Sequence, residues 1–193
     1  GRGSRVTASH TTAMHNYGND YALKLMGIFK RAGMNFITNP FDNSVLQNRT
    51  DGYPRRRGHT RVDELDAAGL TVSIGHDSIM DPWYPMGTGS MLSAANLLLH
   101  TAHMSSQHQM RRLFDMITDN SARVMNMEDR YGIEAGKPAS FVVLDAADEV
   151  DAIRLRSECL FVVRHGRVIC ETVPAARTVE WDGKRRAVDY KRR

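Results

Sequence analysis

The sequence predicts an α/β fold built on parallel strands, followed by a smaller β-rich part. Three observations predict it. Short apolar runs end in polar residues at His10, Asn39 and Asp77, spaced 29 and 38 residues apart, which suits strand–helix units with one long loop on the functional face. Amphipathic stretches closed by glycine lie between those runs. Beyond about residue 138 the helical spacing gives way to short β-branched runs.

In chain order, SRVTASH (Ser4 to His10) reads as a strand with a polar end. DYALKLMGIFKRAG follows as a helix, with Leu23, Met26 and Phe29 as its apolar stripe and Leu25 and Ile28 widening it. Asp20 is placed to cap its start and Gly33 to end it. MNFITN (Met34 to Asn39) is the second strand, stopped by Pro40. A polar loop is expected from Phe41 to His59, then a short helix, RVDELDAAG, closed by Gly69. LTVSIGHD is the third strand. The middle is helical: GSMLSAANLLLHTAHM, SQHQMRRLFDMIT with Ser106 as cap, and DNSARVMNM. ASFVVLDA, CLFVVRHGRVICETV and RTVEWD read as strands, with a tight hairpin turn at His165-Gly166. The expected division is residues 1–137 and 138–193.

At 193 residues, with 41% apolar composition and mixed charge, the chain can bury a core. The formal charge of +4 is concentrated in PRRRGHTR (Pro54 to Arg61) and in the tail GKRRAVDYKRR. No basic face with interleaved aromatics or nucleic-acid module is visible, so nucleic acid is not an expected partner. Cys159 and Cys170 flank the hairpin, as core residues or a disulfide, and no Cys-x-x-Cys suggests a thiolate metal site. No apolar run approaches the ~20 residues of a membrane span. No signal peptide is read, and a cytoplasmic protein is the default expectation.

The chemistry concentrates in VSIGHDSIMDPWYPMG, Val72 to Gly87. A carboxylate at a strand's C-terminal end, Asp77, can bind a divalent metal and move a proton, or simply cap the following turn. His10 ends an earlier strand and can bind metal, orient a hydroxide or stabilise an oxyanion, or be structural. His15 lies five residues on, a poor fit to a paired ligand. His76 precedes Asp77 in extended chain, so it faces the packing layer if Asp77 faces the centre. Ser78 can hydrogen-bond a substrate or cap a turn. Trp83 offers a flat face for a planar ring or clamps the turn between Pro82 and Pro85, which Asp81 can brace. Asn39-Pro40 and FDNSVLQNR can line a pocket.

A complete eight-stranded barrel typically needs ~250 residues, and only three strand–helix units are present. The sequence has no His-x-His at a strand end, no Gly-x-Ser-x-Gly elbow and no phosphate-binding glycine loop.

RVTASHTTAMH, YPRRRGHTRV, GHDSIMDPWYPMGTGSML and NSARVMNMEDRYGIEAGKPASFVVLDA together resemble the C-terminal half of the bacterial cytosine deaminases, within the amidohydrolase superfamily. The resemblance runs over nearly the whole chain. It implies the C-terminal part of a metal-dependent (β/α)8 TIM barrel over residues 1–137, with part of a small β-sandwich subdomain over 138–193. It implies His10 as the catalytic histidine after the sixth barrel strand and Asp77 as the metal-ligating, proton-shuttling aspartate after the eighth. It implies Ser78 and Trp83 as substrate-binding residues, and one divalent metal ion, Zn or Fe. The remaining ligands and a catalytic Glu would belong to an N-terminal half. The implied partners are that half as a second polypeptide, a larger homo-oligomeric assembly and a small cyclic amidine substrate, with the isolated chain inactive. Ser78 stands where the family usually has a second Asp. That change widens the choice from cytosine to isocytosine, creatinine or an aminotriazine, and the competing class is a non-catalytic structural or interaction protein.

Overall fold

The computed structural model describes residues 5–56 and 58–190. Ser4, Arg57 within the first basic cluster, and Lys191 to Arg193 of the second lie outside the described residues.

Three parallel strands carry the first part: β1 (Thr7–Ser9), β2 (Asn35–Thr38) and β3 (Thr71–Ile74), in spatial order β1-β2-β3. Ala8 pairs with Phe36, and Phe36 with Val72. The strand ends expected at His10, Asn39 and Asp77 therefore lie along one edge of a continuous sheet. Parallel pairing requires crossovers, and helices supply them. The first is α1 (Asn19–Ala32), the second α2 (Pro40–Leu46) with α3 (Val62–Ala67).

The α1 helix buries Ala22 and Met26, and its Phe29 meets Phe36 edge-on with ring centroids 5.1 Å apart. The stripe is rotated from the expected one: Leu23 and Ile28 are 62% and 51% exposed. Ala22, small enough for close helix–sheet approach, takes the inner position. Asp20 does not cap the helix; Gly18 occupies the cap position and Asp20 lies in the first turn, where its charge favours the helix dipole. Gly33 ends the helix as expected, in the left-handed conformation at φ 68°, its N–H on Lys30 and Phe29 carbonyls.

The loop expected after Asn39 is partly helical. Pro40 opens α2 rather than merely stopping β2, because its fixed φ and missing N–H suit a first helical turn. This fold-back carries Asp42 and Asn43 into buried positions.

Three further helices cover the sheet: α4 (Met91–Thr101), α5 (Gln107–Ile117) and α6 (Asp119–Val124). Ser90 caps α4 through the Ser93 N–H. Ser106 forms a capping box with Gln109 at the start of α5. Asn120 donates to the Val72 carbonyl at 2.8 Å, and the Ser73 and Ser121 hydroxyls meet at 2.7 Å, tying α6 to β3. Phe36, Leu65, Val72, Leu98, Leu113 and Met116 form the centre of the core.

Further on, β4 (Phe141–Leu144), β5 (Cys159–Arg164) and β6 (Arg167–Glu171) form an antiparallel sheet. Its hairpin turns at His165 and Gly166, both with positive φ as a two-residue turn requires. Cys159 and Cys170 are free thiols on neighbouring strands, opposite Leu144 and Val162 respectively, and neither is the core residue expected: Cys159 is half-buried and Cys170 exposed. A helix absent from the sequence reading, α7 (Glu149–Leu155), leaves this sheet and packs Ala152 and Ile153 into the core of the first part. Asn96 of α4 donates to the Ile153 carbonyl at 3.1 Å. The stretch read as a tail continues as a second hairpin, β7 (Thr178–Trp181) and β8 (Lys184–Ala187), turning at Asp182-Gly183. Among the described residues, no helix is long and apolar enough to cross a membrane.

Candidate functional site

The parallel sheet delivers one residue from each strand end to a common place. His10 leaves β1 with its N–H still on the Ile37 carbonyl at 2.9 Å, and Asn39 follows β2 directly. Gly75 holds the Thr38 carbonyl at 2.9 Å, and two residues later Asp77 emerges. Both His10 and Asp77 adopt left-handed backbone, at φ 65° and 66°. Non-glycine residues rarely do so, and the conformation swings each side chain off the strand direction. The result is a direct contact: His10 Nε2 lies 3.1 Å from Asp77 Oδ2.

The first turn of α2 encloses the imidazole. His10 Nδ1 lies 2.9 Å from Asn43 Oδ1, and Asn39 Nδ2 lies 3.2 Å from His10 Nε2 and 3.1 Å from Ser9 Oγ. Asp42 is 3% exposed, and its Oδ1 has no hydrogen-bond partner. Burial holds the Asp77 carboxyl above the usual carboxylate range, and the neighbouring Asp42 pushes it further up, while His10 opposes the shift. Asp42 also adds to the upward push that burial exerts on the Tyr84 phenol.

His76 faces the packing layer, as its position beside Asp77 requires. Its ring lies 4.8 Å from that of Phe41, and its Nε2 accepts from the Gly89 N–H at 3.3 Å. Asp81 braces the following loop by accepting from the Trp83 and Tyr84 N–H groups, both at 2.9 Å. Those bonds and one from the Ser78 side chain hold the Asp81 carboxyl below the usual range. Ser78 thus stands beside Asp77 with its hydroxyl engaged by Asp81, and Trp83 is 67% exposed on the same loop. The structure brings His10 and Asp77 together, and leaves Ser78 and Trp83 on the adjoining loop.

Asp42 and Asn43 are the site-adjacent residues that sequence reasoning missed. The signal was Pro40: a helix begun there returns its first turn over the strand ends, whereas a loop begun there has no fixed direction.

Among the described residues, no group of three or more His, Cys, Asp or Glu side chains could hold a metal ion. The donor chemistry nevertheless fits one ligand of a divalent cation. Asp77 is an oxygen donor at a strand end, and positive charge there would relieve its repulsion from Asp42. A separate cavity of about 320 Å³, lined by Arg49, Arg55, Arg56 and His59 among others, includes neither His10 nor Asp77.

The model of the amidohydrolase family matches residues 1–170. The chain belongs to the amidohydrolase family. Its fold is similar to that of 5-methylcytosine deaminase from Klebsiella pneumoniae liganded with 5-fluorocytosine, at TM-score 0.88 and 42% identity, covering 94% of this chain and 44% of that one. It is 29% identical over 165 residues to N-isopropylammelide isopropyl amidohydrolase of Pseudomonas sp. strain ADP, covering 86% of this chain and 38% of that protein. It is 26% identical over 177 residues to pterin deaminase of Rhizobium rhizogenes, covering 91% and 40%. This amidohydrolase chain therefore spans less than half the length of these relatives. The likeness supports the TIM-barrel fold of the superfamily, whose members are metal-dependent.

Proposed function

We propose that this chain is the C-terminal part of a metal-dependent deaminase acting on a cytosine-type ring, with 5-methylcytosine as the preferred form. The observation that carries the reading is the 3.1 Å approach of His10 Nε2 to Asp77 Oδ2 from the ends of two strands of one parallel sheet. The 42% identity to a 5-methylcytosine deaminase supports the ring type. Ser78, smaller and neutral beside Asp77, leaves room for a ring substituent.

Asp77 would contribute one ligand to a divalent cation, zinc or iron, which supplies positive charge that acidifies water at neutral pH. Asp77 takes a proton from the attacking water and returns it to the leaving nitrogen. His10 holds the water and the developing oxyanion through Nε2. Water oxygen bonds to the amidine carbon, the exocyclic C–N bond breaks, and ammonia leaves with the transferred proton. Trp83 would cover the ring plane once a substrate is present.

The remaining ligands and a general acid would come from the N-terminal half of the barrel. Two features support that partner. Among the described residues, β1 and β3 pair only with β2, leaving their outer edges for further strands. Phe141 and Val143 of β4 and Val168 of β6, on one face of the sheet by register, expose apolar surface that a second layer of a β-sandwich would cover. Residues 1–137 and 138–193 are proposed as the barrel and sandwich portions, with α7 docked back on the barrel portion.

The test is to assemble the chain with the remainder of the barrel, load zinc or iron, and measure ammonia release. Release from 5-methylcytosine and cytosine is expected. No release from any cyclic amidine, with metal bound at one equivalent, sinks the reading. A second reading, removal of an alkylamine from an aminotriazine, is favoured by the relative in Pseudomonas sp. strain ADP. It replaces the first if N-isopropylammelide is turned over and cytosines are not.

A further inference from the structure

The first basic cluster of the sequence takes no part in the contact of His10 with Asp77, and the chain folds it around a cavity. The loop from Gln47 to Gly58 leaves α2 and closes on itself. Arg56 Nε and Nη2 each lie 2.7 Å from an Asp51 carboxylate oxygen, and Arg56 Nη1 donates to Asn16 Oδ1 at 3.1 Å. Gly58, at φ 66°, backs onto the start of the loop so closely that a Cβ there would lie 2.4 Å from Gln47 Cβ. The cavity of about 320 Å³ between this loop and the end of α4 has Arg49, Arg55, Arg56 and His59 in its lining, with the amides of Gln47 and Asn48. Among the described residues no Asp or Glu lines it. Asp51 answers the charge of Arg56, and neither Arg49 nor Arg55 forms an ion pair among the described residues. Arg55 is steadied instead by Tyr53, its guanidinium carbon 5.3 Å from the ring centroid.

Two guanidinium groups converging on one concavity without a carboxylate repel each other, and a bound anion removes that repulsion. The Asp51–Arg56 fork and the Gly58 contact hold closed the backbone that carries them. A guanidinium presents its N–H groups as a planar fork that matches a pair of phosphate or carboxylate oxygens. Two such forks beside two carboxamides suit a doubly charged phosphate, with three terminal oxygens, better than a carboxylate with two. The volume stands near the lower end of the roughly 300–1,000 Å³ of small-molecule sites, which leaves room for an organic group beyond the phosphate. We propose that Arg49 and Arg55 bind a phosphate group, free or as a small phosphomonoester, with Gln47 and Asn48 donating to its remaining oxygens. The assignment does not depend on the deaminase reading.

Calorimetric titration of the assembled enzyme, before metal loading, with ribose 5-phosphate, inorganic phosphate and succinate provides the test. Ribose 5-phosphate is expected to bind at one site per chain with Kd below about 1 mM at about 50 mM salt, and more weakly as salt rises. Arg49→Ala and Arg55→Ala should each weaken binding by about tenfold or more, the range for one charged hydrogen-bond partner. Arg164→Ala, at the exposed end of β5, should leave it unchanged. In ¹⁵N-histidine-labelled wild type, the ligand should shift the ring signals of His59, assigned by their loss in His59→Gln, and leave those of His165 in place. If either arginine variant does not fold, these wild-type spectra decide. Tighter binding of ribose 5-phosphate than of inorganic phosphate identifies the phosphomonoester as the ligand, and equal binding identifies free phosphate. Absence of saturable binding of both up to about 10 mM overturns the proposal. So do binding unaltered in both arginine variants and His59 signals that stay in place at saturation. Succinate bound as tightly as either phosphate overturns the choice of phosphate.

Discussion

His10 Nε2 and Asp77 Oδ2 meet at 3.1 Å although the whole of β2 lies between the strands that carry them. Regular extended backbone would point each side chain to one face or the other of the sheet. The left-handed turn at each residue, φ 65° and 66°, brings them together over the end of β2. Left-handed backbone at non-glycine residues is uncommon, and strained positions of this kind cluster at active sites and ligand clamps as well as at turns.

Asp77→Ala in the assembled enzyme is expected to abolish turnover and release the metal. His10→Ala should retain metal and lose roughly 10²- to 10⁴-fold in kcat, the range of a proton-handling or oxyanion group. Elemental analysis beside steady-state rates separates the two roles. Equal metal loss in both variants would reassign His10 as a ligand.

The raised Asp77 carboxyl has a consequence for stability. Burial and Asp42 both disfavour its charged form. A carboxyl whose folded pKa lies above its unfolded value of about 3.9 gives stability that is present at low pH and lost as pH rises through the folded value. Chelator-treated Asp77→Asn should therefore match wild type near pH 3.5 and exceed it at pH 7. The side chain is partly open to solvent, so the gain should stay below about 1 kcal/mol, or roughly 2–4 °C in Tm. Thermal melts across that range check it, and a difference independent of pH refutes the cause.

The elements whose residues repeat a single pattern were legible in the sequence, and those that depend on partners were not. Gly33, Ser106 and His165-Gly166 act locally, and each ends, caps or turns its element as its residue type dictates. The inner face of α1 depends on what it packs against, so Ala22 displaced Leu23 from the expected stripe. At the site, His10 and Asp77 announced themselves as polar ends of apolar runs. Asp42 and Asn43 did not, because their approach to His10 depends on a seven-residue helix inside a stretch whose polarity reads as loop. Likewise Asp182-Gly183 is a two-residue turn signal between TVEW and KRRA, hidden by the charge of the strand that follows it.

Phe36 on the central strand is fully buried and meets Phe29 of α1 edge-on. Phe36→Ala should cost about 3–5 kcal/mol through lost transfer energy and the cavity left behind. Urea unfolding with an unchanged slope would check it. A cost under about 1 kcal/mol would mean that the three-stranded sheet is not the centre of the folded core.

Gly75 links the sheet to the site through a contact that no side chain there would permit. A Cβ at this position would lie 2.2 Å from Asn39 Oδ1 and 3.2 Å from Ile37 Cγ2. Real carbon–oxygen contacts do not approach so closely, so Asn39 would have to move, and with it the amide that reaches His10 Nε2. Gly75→Ala should cost about 1–3 kcal/mol by overpacking. It should also lower kcat by at least tenfold, since about 1 Å of misplacement can cost 10²-fold. The double variant Gly75→Ala/Asn39→Ala separates the two effects. Removing the Asn39 side chain relieves the clash, so the double variant should be more stable than the sum of the two single losses implies, while kcat stays low. Strict additivity of both stability and rate would show that Gly75 and Asn39 act independently, and that Gly75 is needed for some other close approach.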